Sequence, residues 1–377
     1  MTYAPVTLAG RSRHMTVRAD PVLIVTSFIL AAVGTVMIYS ATRDQLALNG
    51  EDPRYWLKRQ LAFVVIGAVV MAGVIMLDYR RLEQLSTILY VGTVLALLAV
   101  LAIGHSSQGA QRWFSLGPFQ LQPSEFATLI LIIAIATYCA RRPEGLEFRD
   151  LVRMVLLAVI PMILVIKQPD LGTAILMAVV LMVMLAMAGM PGRYLILLIV
   201  GALIDTVVAL KLGLLQEYQI QRLTGFISPN GQGQTVHYNV TQAKNAIANG
   251  GIFGKGLFRG TSTNLAYVPE QQTDFIFSAV GEQLGFVGAG VLLLLYGVLA
   301  WRILRTAQLA RDIYGRLICA GVFALLVFSV FENVGMNMGI MPVTGIPLPF
   351  LSYGGSAMIA FFAAIGLVSS VHIRSVR

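Results

Sequence analysis

Residues 171–190 read LGTAILMAVVLMVMLAMAGM, a run of twenty residues without a charged side chain. A helix needs about 20 predominantly apolar residues to cross the hydrocarbon layer of a bilayer, so this run predicts a transmembrane helix. Similar runs recur along the chain, separated by shorter polar segments. The ten predicted spans are residues 21–42, 60–78, 84–103, 122–140, 152–168, 171–190, 194–212, 275–300, 315–341 and 346–371.

The composition of the whole chain is that of a membrane protein. Of its 377 residues, 57% are apolar and only 12% are charged, whereas about 25% are charged in a typical soluble domain. The net charge of +9 indicates arginine-rich loops rather than a nucleic-acid site, because no basic cluster is interleaved with aromatic residues. Cys139 and Cys319 form no metal or redox motif. We therefore expect an all-α integral membrane protein that forms a single polytopic domain over residues 1–377.

The distribution of basic residues predicts the orientation of this bundle of about ten transmembrane helices. Ten spans place both termini on one side, and that side carries sixteen of the 27 Lys and Arg residues. The other side carries eleven, five of them in segment 211–274, and long translocated segments weigh little in the positive-inside rule. We predict cytoplasmic termini and one large extracellular loop at residues 211–274. The first run, from Pro21, lacks a cleavage site, so we expect it to be a retained helix.

Four carboxylates fall inside predicted spans, where acidic side chains are costly and mark function by default. They are Glu125, Asp205, Glu282 and Glu332. Glu125 follows Gln122-Pro-Ser, which places it in the first turn of its helix, where the helix dipole favours a negative charge. A functional role and a structural capping role carry equal weight for Glu125. We expect structural roles for the other three.

Three stretches differ from ordinary membrane sequence. Residues 342–356 read PVTGIPLPFLSYGGS, and their three prolines and three glycines rule out a regular helix. Such backbone at membrane depth is tolerated where it packs on protein or lines a cavity. Residues 167–174 read KQPDLGTA, in which the proline predicts a break between two helices. The third stretch joins NGGIFGKG at 249–256 to YVPEQQTDFIF at 267–277.

Together these stretches resemble the SEDS family, the shape, elongation, division and sporulation proteins that include RodA and FtsW. The likeness covers nearly the whole chain. It extends through Asp20-Pro21, Met37-Ile-Tyr-Ser-Ala41, Arg112-Trp113, Gln122-Pro-Ser-Glu125 and Asn333-Val-Gly-Met336.

The resemblance implies ten transmembrane helices in the bacterial plasma membrane. It also implies a peptidoglycan glycosyltransferase that polymerises lipid II into glycan strands and releases undecaprenyl pyrophosphate. The implied partners are a class B penicillin-binding protein, elongation or division complex proteins and membrane lipids. Gln168-Pro-Asp-Leu-Gly-Thr173 and the short tails favour the RodA-like type, which serves elongation and cell shape, over the FtsW division type.

The resemblance also implies a catalytic residue. Asp274 matches the aspartate of the family motif Pro-Glu-x-x-Thr-Asp-Phe, which polymerase activity requires. Attack by a sugar hydroxyl on an anomeric carbon needs a base, and expulsion of a lipid pyrophosphate needs positive charge. From the residues alone, the alternative is that Asp274 only caps the helix that follows. Glu125 is the second predicted catalytic carboxylate.

Basic residues of the same loop are candidates to hold the pyrophosphate. They are Arg222, Lys244, Lys255 and Arg259. Lys255 is the first choice because it lies between two glycines whose backbone N–H groups can approach an anion, although a solvated loop lysine is an equal alternative. Arg112, Asp170 and Ser352, taken from the other motifs, complete the predicted substrate-binding set.

Two positions depart from the family pattern. Gln272 stands where histidine is common, and Thr128 stands where many members have lysine. The second change removes a salt-bridge partner of Glu125, for which Arg112 is the substitute. No metal or cofactor motif is evident, but a carboxylate and a diphosphate can share a divalent cation such as Mg²⁺ or Mn²⁺, so this alternative stays open. A lipid II flippase and a non-catalytic scaffold are the rival functions.

Overall fold

The computed structural model describes residues 19–375, apart from 108–109, 117–118, 143–144, 212–233 and 266. We number the helices and strands of these residues in chain order. The helices are α1 (Pro21–Leu48), α2 (Tyr55–Met76), α3 (Tyr79–Ile103), α4 (Pro123–Ala140), α5 (Phe148–Lys167), α6 (Leu171–Met187), α7 (Gly192–Lys211), α8 (Gln234–Gly250), α9 (Thr261–Asn264), α10 (Ile276–Leu309), α11 (Ile313–Asn337) and α12 (Gly355–Ser375). The strands are β1 (His105–Ser107), β2 (Ala110–Leu116) and β3 (Phe119–Leu121).

The predicted helical membrane fold is confirmed, and each predicted span coincides with a helix. Seven of the described helices are long and apolar enough to cross a membrane. They are α1, α2, α3, α4, α10, α11 and α12. Helix α6 and residues 192–204 of α7 are shorter apolar helices. The exact number of ten spans stays a prediction.

Helix α12 begins nine residues after the predicted start of its span. Residues 342–354 contain no helix, because Pro342, Pro347 and Pro349 cannot donate backbone hydrogen bonds. The prediction that this segment is non-helical is therefore correct, and the predicted span 346–371 was wrong at its first boundary. A matching break separates α5 from α6, where Asp170 caps α6 by accepting from the Thr173 backbone N–H at 3.2 Å.

The bundle core lies where α4, α11 and α12 pack together, since these helices are the most completely buried spans. Helix α12 packs on α2, and α11 packs on α6 and α10. Ion pairs fasten the helices at the end of the bundle opposite segment 342–354. Arg302 of α10 pairs at 2.5 Å with the buried Asp20, which caps α1. Arg80 of α3 pairs at 3.2 Å with Asp312, which caps α11.

Two features differ from an all-α bundle with one irregular loop. A three-stranded antiparallel sheet, in the order β1-β2-β3, joins α3 to α4. Short strands with a mixed polar composition give little periodic signal, so this sheet was not predicted. Segment 211–274 contains α8 and α9, and α8 packs against α10. Its described part is therefore a folded cap on the bundle rather than an open loop, while residues 212–233 lie outside the described residues.

Helix α10 is broken near its start. Gly285 has φ +66° and ψ −166°, which is not helical and is a conformation that favours glycine. The break divides α10 into a short first half, residues 276–284, and a long second half, residues 286–309. Residues 249–256, which we call the glycine loop, lie beside the break. The loop supplies the hydrogen bonds that the interrupted helix lacks.

Candidate functional site

A cavity of about 490 Å³ opens at the end of the bundle that holds segment 342–354. Its walls come from the first turns of α2, α4 and α6, from strands β2 and β3, from the turn before α10 and from segment 342–354. The lining residues that carry charge are Arg59, Arg112, Glu125, Asp170, Glu270 and Asp274. The cavity therefore brings together both predicted catalytic carboxylates, Glu125 and Asp274, from opposite halves of the chain.

Asp274 lies on the turn that precedes α10. The helix begins at Ile276 with Phe275 in the N-cap position, so Asp274 is not the N-cap residue. Asp274 precedes the N-cap position by one residue, which favours the catalytic role over the capping alternative. The turn itself is tightly held, because the backbone N–H groups of Thr273 and Asp274 both donate to the Glu270 carbonyl at 3.2 Å.

Two buried amides of α11 hold this turn from beneath. Asn333 Nδ2 donates to the Asp274 backbone carbonyl at 3.0 Å and to the Ile346 carbonyl at 2.9 Å. Asn337 Nδ2 donates to the same Asp274 carbonyl at 3.1 Å, and its Oδ1 accepts from the Ser278 backbone N–H at 3.1 Å. Both asparagines are fully buried. Asn333 thus ties the turn of Asp274 to segment 342–354 through one side chain.

Ser352 has the same kind of role. Its Oγ donates to the Thr273 carbonyl at 2.5 Å and accepts from the Leu348 backbone N–H at 2.9 Å. The residue is buried and does not line the cavity. Both hydrogen bonds of Ser352 go to backbone, so it holds the turn that carries Asp274. That Ser352 binds substrate stays a prediction.

Asp170 lines the cavity, and its carboxylate already accepts hydrogen bonds from three side chains. Oδ2 accepts from Thr173 Oγ1 at 2.9 Å, from Ser124 Oγ at 3.1 Å and from Gln122 Nε2 at 3.2 Å. These bonds join α4 to α6 across the cavity wall. Asp170 therefore fixes the helix turn from which Glu125 faces the cavity.

Arg112 also lines the cavity, but it is not the salt-bridge partner of Glu125. Its Nε donates to the Gln168 carbonyl at 2.7 Å, and its Nη2 donates to the Pro169 carbonyl. The guanidinium thus covers carbonyls at the end of α5, where the helix dipole favours a cation. Among the described residues, the structure gives the Glu125 carboxylate no ion pair. The side chain of Thr128 is buried.

The three predicted loop cations that the structure describes do not line the cavity. Lys255 Nζ lies 3.6 Å from the buried carboxylate of Glu282 and donates to Thr261 Oγ1 at 3.3 Å. The backbone N–H groups of Lys255 and Gly256 donate to carbonyls of the broken α10, so they are not directed at an anion. Lys244 and Arg259 are exposed elsewhere on the cap. Arg222 lies outside the described residues.

The cavity wall also contains residues that no motif indicated. Trp56, Arg59 and Phe63 lie on the first turns of α2, which starts five residues before the predicted span. The Trp56 ring packs edge-on against Tyr353, with 4.5 Å between ring centroids. Burial raises the pKa of Tyr353, and the neighbouring Arg59 guanidinium opposes part of that rise. Aromatic side chains and a cation therefore form the wall on the α2 side.

Charge in the cavity is unbalanced. Four carboxylates and two guanidinium groups among the lining residues leave a formal charge of −2. An anionic ligand would therefore depend strongly on Arg59 and Arg112. Within the described part of the chain, there is no group of three or more His, Cys, Asp or Glu side chains placed to hold a metal ion. Gln272, the departure from the common histidine, also lines the cavity.

Comparison with known proteins assigns this chain to a family. Residues 21–376 match the family model FtsW/RodA/SpoVE, described as a cell cycle protein. The chain is 35% identical over 360 residues to the peptidoglycan glycosyltransferase MrdB of Escherichia coli (strain K12), with 94% of each chain covered. It is 34% identical over 357 residues to the probable peptidoglycan glycosyltransferase FtsW of Trichlorobacter lovleyi, with 93% of this chain and 92% of the relative covered.

The fold agrees with a solved structure. A chain of a peptidoglycan synthase complex that coordinates polymerization and crosslinking superposes with a TM-score of 0.80 at 33% identity. The superposition covers 95% of this chain and 98% of that chain. A match over nearly the whole length, in both sequence and structure, establishes common descent. The chain belongs to the FtsW/RodA/SpoVE family, the SEDS proteins.

Proposed function

We propose that this protein is a peptidoglycan glycosyltransferase that polymerises lipid II into glycan strands. The observation that carries the proposal is the cavity, which gathers Asp274, Glu125 and two arginines at one end of the membrane bundle. A flippase would need polar side chains along a path through the bilayer. The six charged side chains that line the cavity lie at one mouth, beside the non-helical segment 342–354. This distribution favours chemistry at the membrane surface.

In the proposed reaction, a sugar hydroxyl of one substrate attacks the anomeric carbon of the other. The C–O bond to the diphosphate breaks, and the lipid diphosphate leaves with the bonding electron pair. Asp274 accepts the proton of the attacking hydroxyl. Its turn is held by Asn333, Asn337 and Ser352, so the carboxylate has a fixed position before substrate arrives. Glu125, on the facing wall, is the second carboxylate available to orient or deprotonate the acceptor sugar.

The leaving diphosphate needs positive charge. Arg59 and Arg112 are the two cations of the cavity wall, and guanidinium groups bind phosphate oxygens in a bidentate fashion. They take the place of the loop cations that the sequence indicated. A divalent cation held jointly by Asp274 and the diphosphate is an alternative source of charge. The diphosphate itself would have to supply part of its coordination, since the described carboxylates form no complete site.

We further propose the elongation role and a penicillin-binding partner. The stretch Gln168-Pro-Asp-Leu-Gly-Thr173 favours the RodA-like type, while relatives of both types are similar to this chain. The similarity to a chain of a peptidoglycan synthase complex supports a partner that performs crosslinking, namely a class B penicillin-binding protein.

The direct test of the function is polymerisation of purified lipid II, by the protein alone and with its penicillin-binding partner. Glycan strands that depend on this chain would support the proposal. If instead the reconstituted protein moved lipid II between leaflets without forming strands, the flippase would be the correct function. The absence of both activities, in a folded protein that binds the partner, would favour the scaffold.

The proposed orientation places the cavity outside the cell and both termini in the cytoplasm. Glu51, exposed between α1 and α2, lies at the cavity end, and Arg149 is exposed at the opposite end. We expect Glu51→Cys to react with an impermeant maleimide on intact spheroplasts and Arg149→Cys to react only after lysis. Cys139 and Cys319 are buried and give a low background. The reverse labelling pattern would invert the topology.

The role of Arg59 predicts a change in substrate affinity. Hydrogen bonds to charged groups contribute about 1.5–3 kcal/mol, so Arg59→Gln should raise KM for lipid II by roughly 10-fold to 100-fold with a smaller fall in kcat. The matched control is Lys58→Gln. Lys58 is the neighbouring cation on the same helix, but it does not line the cavity. It is exposed, and its Nζ lies 2.7 Å from Asp52 Oδ2. Equal effects of the two substitutions would remove Arg59 from the site.

A further inference from the structure

The glycine loop and the broken helix α10 complete each other's hydrogen bonds. The Lys255 and Gly256 N–H groups donate at 3.0 Å to the carbonyls of Glu282 and Gln283, at the end of the first half-helix. In the opposite direction, the N–H groups at the start of the second half-helix donate to the loop. Phe286 N–H donates to the Gly251 carbonyl at 2.9 Å, and Val287 N–H donates to the Ile252 carbonyl at 3.0 Å.

These bonds require very close contact between backbones. A Cβ atom on Gly254 would lie 2.2 Å from the Gln283 carbonyl oxygen, and one on Gly285 would lie 2.2 Å from the Gly254 nitrogen. The Lys255–Glu282 pair lies on the protein side of the loop, and Glu282 also accepts from the Ser262 and Thr263 N–H groups. Four backbone polar groups of the loop are therefore bonded to the broken helix, and these bonds fix the loop at the height of Phe286.

That height lies within the thickness of a bilayer. The paired Arg302 and Asp20 mark the opposite edge of the hydrocarbon layer on α10, and sixteen residues separate Phe286 from Arg302. At about 1.5 Å of rise per residue, Phe286 lies about 24 Å from that edge. The hydrocarbon layer is about 30 Å thick, so Phe286 and the loop bonded to it lie inside its other boundary. Any tilt of the helix would only place them deeper.

The side of the loop that faces away from the protein is apolar. Ile252 is 64% exposed and Phe253 is 82% exposed, and Phe286 beside them is 78% exposed. The same helix continues with an exposed stripe whose spacing is that of one helix face. The stripe consists of Val287, Val291, Leu294, Val298 and Trp301. The loop tip is thus continuous with the lipid-facing surface of α10, and residues 250–254 contain no charged side chain.

We propose that Ile252 and Phe253 insert into the acyl chains of the leaflet at the cavity end, so that the glycine loop is a lipid anchor for the cap. The occupant of this surface is lipid because the height and the continuity with the α10 stripe place it in the hydrocarbon layer. Non-helical backbone at membrane depth is tolerated where it is bonded to protein, and the broken helix bonds four of the loop's backbone groups. The anchor fixes the start of the segment that ends at Asp274.

Depth-dependent collision of a nitroxide tests the proposal in reconstituted protein. Phe253→Cys and Ile252→Cys would be spin-labelled in a background with Cys139→Ala and Cys319→Ala. Val291→Cys on the α10 stripe is the lipid-facing control, and Glu51→Cys in the exposed turn after α1 is the water-facing control. The measured quantity is the ratio of the collision rate with oxygen to that with a polar nickel complex. We expect this ratio to be several-fold higher for labels at 252 and 253 than for the label at 51.

Two results would overturn the anchor. A label at 253 that collides with the nickel complex as often as the label at 51 would place the loop in water. Protection of labels at both 252 and 253 from both reagents would mean that protein, such as a second copy of this chain, covers the tip. The control at 291 verifies insertion and folding in each case. The outcome is independent of glycosyltransferase activity, so failure of the proposed function would leave this test unaffected.

Discussion

Replacing Asp274 with asparagine is expected to lower glycan polymerisation by a factor on the order of 10²–10⁴, the usual contribution of a general base. The amide fills nearly the same space but cannot accept the proton of the attacking hydroxyl. The backbone bonds that hold the turn, from Asn333 and Asn337 to the Asp274 carbonyl, do not involve the carboxylate and should persist. The measurement is strand formation by purified Asp274→Asn with its partner, together with lipid II binding, which should change far less.

A control for charge is Asp52→Asn, which removes an exposed carboxylate at the same end of the bundle and should leave polymerisation unchanged. Near-normal strand formation by Asp274→Asn would show that Asp274 is not the general base. In that case Glu125, the other predicted catalytic carboxylate of the cavity, would be the next candidate. If transport of lipid II responded to the substitution while strand formation did not, the flippase would replace the polymerase as the proposed function.

Replacing Asn333 with aspartate is expected to lower kcat by roughly 10-fold to 100-fold with little change in KM. The new side chain has the same shape but cannot donate to the carbonyls of Asp274 and Ile346. The turn that carries Asp274 therefore loses one of its bonds to segment 342–354 and is held less precisely. Misplacement of a reacting group by about 1 Å can cost about 100-fold in rate. Asn333 does not line the cavity, so it is a positioning residue. The measurement is steady-state polymerisation over a range of lipid II concentrations.

The matched control for Asn333 is Ser329→Ala, one turn earlier on the same buried face of α11. The Ser329 hydroxyl donates only within its own helix, to the Leu325 carbonyl at 2.8 Å. We expect this variant to retain wild-type kcat. A merely structural role of Asn333 would show as loss of folded protein, measured by thermal stability in detergent, with normal kcat in the fraction that remains. That pattern would contradict the positioning role.

The helices were predictable because lipid imposes a simple rule on sequence. A long apolar run such as 171–190 can only be a helix in a bilayer. The prolines of segment 342–356 predict non-helical backbone just as clearly. The two carboxylates were also predictable in kind, since Glu125 and Asp274 stand in distinctive motifs near helix starts. The cavity brings these two residues together, and their catalytic roles stay a prediction.

The sequence did not indicate that Arg59 lines the cavity or that Lys255 lies away from it. A Gly-Lys-Gly sequence shows that backbone N–H groups can be exposed, but not that a broken helix far along the chain will use them. Arg59 lies before the apolar run that defined its span, so it was counted as a loop charge. Helix α2 starts at Tyr55, before the predicted span, and this start places Arg59 in the cavity wall. Side-chain destinations of this kind depend on long-range packing.

The break in α10 also constrains the order in which the chain is assembled during its synthesis. The glycine loop precedes residues 276–309 in the chain, so it is synthesised before the helix whose break it completes. The two halves of α10 can form their hydrogen bonds with the glycine loop only after both segments have been synthesised. Substitutions that block this meeting, such as a side chain at Gly254, would therefore reduce the yield of mature protein in the membrane rather than the turnover of each molecule.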